Sequence, residues 1–189
     1  MDYKELFKRV ILLLSAPGKA WEEISNEEDR RKVMTAFVYP LMGLCGLSVF
    51  IGTFIGYTDG VSLFQLAMTR CCATFISLFG GYFLASYLTN MLGVKFFERE
   101  NEMEMCGQFV GYSMVVTFVL DIMSGLFAIS LLNYIFQFYT LFVVYEGARV
   151  LMEVHDTKLT RYSLLATVII ILSPALIGTI FNYLSVNLN

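Results

Sequence analysis

Apolar residues fill long runs of this chain, and charged residues collect in short islands between them. The runs at about 37–57, 66–92, 109–129, 132–151 and 164–184 are each long enough to cross a bilayer, because roughly 20 helical residues span about 30 Å of hydrocarbon. Only Asp121, Glu146 and Arg149 are charged among the 43 residues from Phe109 to Leu151. As one helix that stretch would measure about 64 Å, twice the hydrocarbon thickness, so it must turn once, and Ser130 to Asn133 is the expected place. The pattern predicts an all-α polytopic membrane protein, with a cytoplasmic amphipathic segment over 1–35 and a five-span transmembrane domain over 36–189.

Ahead of the first run, Tyr3, Leu6, Phe7, Val10, Ile11 and Leu14 recur at helical spacing, with Lys4, Glu5, Lys8 and Arg9 opposite. This helix is too short to span, and lies along the membrane surface or docks on the bundle. Its apolar core, Val10 to Leu14, is also too short for a signal peptide, so the segment is expected to be retained. Ser15-Ala16-Pro17-Gly18 breaks it, and a second short helix follows with Ala20, Trp21 and Ile24 on one side. Trp21, the only tryptophan, reads as an interfacial anchor, with core packing as the alternative. Asn26 reads as the N-cap of the next helix, with Glu27, Glu28 and Asp29 in its first turn.

Within the first span Ser48, Gly52 and Gly56 form a small-residue stripe for close helix packing, and Pro40 predicts a bend. Thr58-Asp59-Gly60 reads as a turn and Gly93 as the end of the second span; Pro174 falls inside the fifth. The island Tyr145 to Ser163, which holds the only histidine, His155, is expected to be a polar hairpin between the fourth and fifth spans.

Composition agrees with a membrane protein: 57% hydrophobic residues, 15% charged and a mean hydropathy of +0.67. A net charge of −3 without a basic, aromatic-interleaved stripe excludes nucleic acid as a partner. Charge distribution sets the orientation. An inside N-terminus places seven basic residues before the first span, two in the Lys95 loop and three in the last island on the cytoplasmic side, and leaves only Arg70 outside. That bias predicts an N-in, C-out topology.

Little chemistry can be built from these residues. His155 stands alone, which leaves no base for a nucleophile triad and no HExxH zinc site. Cys45, Cys71, Cys72 and Cys106 have no metal-ligand spacing and read as small packing side chains, so neither a catalytic residue, a metal nor a cofactor is implied. Asp121, about eight residues inside the third span, needs a partner or water, and Arg70 enters the second span from the same side at a depth its side chain can bridge. An Asp121–Arg70 pair is expected, either holding two spans in register or acting as a relay. Glu146 and Arg149 share a helical face at the inner end of the fourth span; they either snorkel to the interface or line an inner pocket with Tyr145 and Tyr112.

Three stretches resemble the Yip family of five-span proteins that interact with Ypt/Rab GTPases, in its short prokaryotic form. They are Leu13-Leu14-Ser15-Ala16-Pro17-Gly18-Lys19-Ala20-Trp21-Glu22-Glu23-Ile24, then Phe109-Val110-Gly111-Tyr112-Ser113, and Tyr145-Glu146-Gly147 with the later Lys158 and Tyr162. Such chains often carry a proline soon after the Gly-Tyr; Met114-Val115-Val116 stands there instead, which argues against a kink in the third span. The resemblance implies a prokaryotic cytoplasmic membrane location and no settled activity, and the acidic extension of the eukaryotic forms is absent. Together these features predict a non-enzymatic binding or membrane-organising module that meets the lipid bilayer and a protein partner at its cytoplasmic face, with room for a homo-oligomer. The alternative is a small transporter or channel with Asp121 and Arg70 on its pathway.

Overall fold

A computed structural model describes residues 3–27, 29–56, 62–97, 99–127 and 136–187. The turns expected at Thr58-Asp59-Gly60 and at Ser130 to Asn133 lie outside the described residues. The chain runs through α1 (Tyr3–Ser15), α2 (Pro17–Ser25), one π-helical turn (Met34–Val38), α3 (Tyr39–Gly56), α4 (Ser62–Phe96), α5 (Met103–Ser113), α6 (Val115–Phe127), α7 (Tyr139–Val150) and α8 (Asp156–Asn187). No strand occurs among the described residues. Among them, four helical stretches are long and apolar enough to cross a membrane: Met34–Ile55, Ser62–Phe96, Met103–Phe127 and Asp156–Leu184.

Helix α4 packs along α8 and α3, α3 also lies against α6, and α7 joins α8 to the N-terminal pair. The core is concentrated where α1, α2, α5 and α7 meet; Leu13, Trp21, Ile24, Phe37, Phe109, Val143 and Tyr162 are all fully buried there or nearly so. Farther along the bundle the apolar side chains turn outward. Leu165, Val168, Leu172, Leu176 and Ile180 form an exposed stripe on α8, and Phe64, Met68, Phe75, Phe79 and Phe83 another on α4. Water would penalise so much open apolar surface, whereas lipid chains satisfy it.

Several local expectations are revised. The island from Tyr145 to Ser163 is mostly helix: α7 reaches Val150, α8 starts at Asp156, and only residues 151–155 link them. Val154 N–H bonds back to the Ala148 carbonyl at 3.1 Å, and Glu153 adopts a left-handed φ of 47°. That is the geometry of a helix end sealed by a reversed residue, which lets a very short link turn the chain. Asn26 closes α2 instead of opening a new helix; its side-chain amide donates to Glu22 O at 2.7 Å, and Asp29 Oδ1 accepts from Arg31 N–H at 3.1 Å. The second span runs past Gly93 to Phe96. The third loosens for one residue at Met114, where no proline stands, but its helical bonds continue: Met114 N–H reaches Val110 O at 2.9 Å and Phe118 N–H reaches Met114 O at 2.9 Å. Ahead of Pro40, the wider π-turn, closed by Tyr39 N–H on Met34 O, gives the chain room where the proline ring would crowd the carbonyl four residues back.

Candidate functional site

Helix α1 carries Arg9 on the side facing α2, and Glu27, the residue after the Asn26 that closes α2, meets it. One Arg9 nitrogen lies 2.9 Å from Glu27 Oε1, and the other is 3.9 Å from Glu23, too far for a hydrogen bond. The Glu27 carboxylate also accepts from Gln108 Nε2 at 3.2 Å and from the Tyr112 hydroxyl at 3.1 Å. Gln108 and Tyr112 are four residues apart on α5 and so project from one face. The Arg9 guanidinium also sits over the Tyr112 ring, 5.8 Å from its centroid. Arg9 and Glu27 keep only 19% and 24% of their side-chain surface, so water screens the pair incompletely. This cluster ties the N-terminal helices to the start of the third span. Sequence reasoning missed Glu27 as a site residue and treated it as a capping acid. The available signal was Gln108, an uncharged polar residue in an otherwise apolar stretch.

Trp21 is fully buried, which corrects its assignment as an interfacial anchor: its Nε1–H donates to Val143 O at 2.9 Å, leaving no polar group to reach for headgroups. Its ring lies 5.8 Å from Phe109 and edge-on to Tyr112 at 6.1 Å. Gly147 makes the site for it, since a Cβ there would stand 2.6 Å from the indole. Tyr139 adds a second tie, donating its hydroxyl to Leu14 O at 2.8 Å.

The four inner-face candidates divide around Trp21. Tyr112 turns to Glu27 and Arg9, whereas Glu146 accepts from Arg149 at 2.6 Å and sits over Gly18 in the first turn of α2. A carboxylate suits that helix end. Tyr145 is half-buried at the edge of the core, and Arg149 keeps 52% of its side-chain surface.

In the other half of the bundle, Ser48 and Gly52 of α3 meet Gly125 of α6, and a Cβ on Gly52 would overlap the Gly125 carbonyl oxygen. The Ser48 hydroxyl lies 2.7 Å from Cys45 O and 3.5 Å from Asp121 O. Gly56 ends α3. Ion pairs between described residues join Arg9 to Glu23 and Glu27, Arg31 to Glu104, and Arg149 to Glu146; the Asp121–Arg70 pair expected from depth is not among them. Arg70 is exposed on α4, and Asp121 lines a cleft with Thr74, Ser77 and Ser124. No group of three or more histidine, cysteine or acidic residues that could hold a metal ion occurs among the described residues.

A family model described as the Yip1 domain matches residues 11–178 of the chain. No curated protein and no solved structure matches it.

Proposed function

The chain belongs to the Yip1 domain family, and from that premise we propose that it is a non-enzymatic membrane module with five spans, N-in and C-out, that binds or organises lipid and protein at a charged cytoplasmic face. The observation that carries this reading is the build of α1. Its apolar arc is split in two: Leu6, Val10 and Leu13 are buried against the bundle, while Tyr3, Phe7 and Ile11 stand 64%, 51% and 64% exposed. Lys4 and Lys8 flank the exposed half. A docked helix with an outward apolar stripe edged by lysines suits the headgroup boundary, where the rings enter the acyl region and the ammonium groups reach anionic lipid. The Glu27 cluster and Trp21 hold it at that angle.

Helix α7 supplies 12 residues, about 18 Å, of the expected fourth span at 132–151. Counted as part of a fourth span, it brings the proposed number to five and puts the termini on opposite sides, beside the four helical stretches that are themselves of spanning length. A fluorescent protein that matures only in the cytoplasm is expected to shine when fused ahead of Met1 and to stay dark after Asn189, with alkaline phosphatase active at the latter position. Signals from one side at both ends would mean an even number of spans and defeat the topology.

Proteoliposomes loaded with sodium-, potassium- or proton-sensitive dye are expected to show no protein-dependent flux with either the wild type or Asp121→Asn. Flux abolished by that substitution would replace this reading with a small transporter or channel that has Asp121 and Arg70 on its pathway.

A further inference from the structure

The polar wall of the cleft at Asp121 offers mainly oxygen atoms, one carboxyl and three hydroxyls, beside the amide of Asn182, which carries donors as well as an acceptor. The cleft occupies about 230 Å³ between α3, α4, α6 and α8, and its polar wall comprises Asp121, Thr74, Ser77, Ser124 and Asn182. Each of the three hydroxyls is within donating distance of a backbone carbonyl: Thr74 of Arg70 O at 3.0 Å, Ser77 of Pro174 O at 2.6 Å and Ser124 of Asp121 O at 3.4 Å. A hydroxyl whose proton is used this way has only lone pairs left to offer. Among the described residues no side chain forms an ion pair or hydrogen bond with the Asp121 carboxyl. Gly178 contributes to the opening, because a Cβ there would come within 3.0 Å of the Ser77 hydroxyl.

Asp121 stands at least about 9 Å along α6 from Phe127, the last residue of that helix described, at 1.5 Å per residue, a depth at which an uncompensated carboxylate is costly. The cleft has room for an ion and a few waters, at roughly 30 Å³ per water, but is small for a drug-sized molecule. A single carboxylate balances one positive charge, whereas protein sites for calcium draw on several oxygen ligands, carboxylates prominent among them. We propose that this cleft binds a small monovalent cation, either an alkali ion or an ammonium ion, held by the Asp121 carboxylate and the hydroxyl oxygens of Thr74, Ser77 and Ser124. The site does not depend on the organising role argued above, since a bound ion can stabilise a bundle that transports nothing.

The test is thermal unfolding of the purified full-length protein in detergent, followed by the helical signal in circular dichroism, in sodium, potassium, ammonium, methylammonium or choline chloride at one ionic strength. At least one small cation is expected to raise the midpoint saturably by about 3–5 °C relative to choline. Asp121→Asn removes the charge without changing shape and is expected to abolish the difference. Ala73→Leu, which leaves every polar group of the cleft in place and enlarges one of its lining side chains, is expected to weaken the apparent affinity at least about tenfold, or 1.4 kcal/mol. A response to sodium or potassium identifies an alkali ion, and a response to the nitrogen cations alone identifies an ammonium ion. Equal midpoints in all five salts would overturn the proposal. So would a cation effect that survives in Asp121→Asn, or a dependence on pH alone, because a carboxyl titrates without any ligand.

Discussion

Trp21→Ala is expected to lower the stability of the protein by about 3–5 kcal/mol, the usual cost of emptying a buried aromatic site. The indole is fully buried, and its removal would also take from the Val143 carbonyl the side-chain donor it has beside its helical bond, for up to about a further 1 kcal/mol. The loss should be local before it is global, since Trp21 joins α2 to α5 and α7 and the apolar contacts of α4 with α8 do not involve it. Limited trypsinolysis in detergent is therefore expected to cut at Arg9 and Lys19 well before the bundle loses helicity by circular dichroism. Trp21→Phe retains most of the buried area and should cost about 1–2 kcal/mol. An unchanged midpoint and an unchanged digestion pattern for Trp21→Ala would return the residue to the membrane surface.

Gly52→Val is expected to damage the other half of the molecule, by about 3 kcal/mol or more. The atom a side chain would strike is the backbone carbonyl oxygen of Gly125, which cannot rotate away, so α3 and α6 must separate. In a bilayer the loss is hard to recover, because close van der Waals contact supplies much of what holds apolar helices together where lipid is as oily as the side chains. Gly43→Ala provides the comparison within α3: nothing lies within 4 Å of a Cβ there, and the change is expected to be neutral or slightly stabilising. Refolding yield and thermal midpoint of the two variants, measured side by side, separate a packing requirement at Gly52 from a general intolerance of α3.

How far the chain could be read depended on whether a feature is local. The apolar runs were legible because bilayer thickness converts a count of consecutive residues into a span, and four of them are helices of spanning length. The spacing of Tyr3 through Leu14 foretold α1, but not that its apolar arc would divide into a buried and an exposed half. Trp21 carries an apolar body and one N–H whether it sits in a core or at an interface, so its own chemistry could not choose; the choice came from Val143, 122 residues away. Glu27 resembled any acid near a helix end until Arg9, Gln108 and Tyr112 converged on it from two other helices. The Asp121–Arg70 pairing was argued from depth alone, and depth says nothing about the azimuth of a side chain around its helix.

By itself, then, the amino-acid sequence determined that this protein is helical, apolar and lacking in the histidine and cysteine patterns that metal or nucleophile chemistry requires. Those properties follow from composition and from periodicity within a single segment. Only the tertiary structure decided which polar groups are neighbours: the Glu27 cluster under the N-terminal helices, the indole of Trp21 against Gly147, and the polar cleft around Asp121. Each depends on the rotation and crossing of helices far apart in the chain, which are set by where small residues such as Gly52, Gly125 and Gly147 permit close approach.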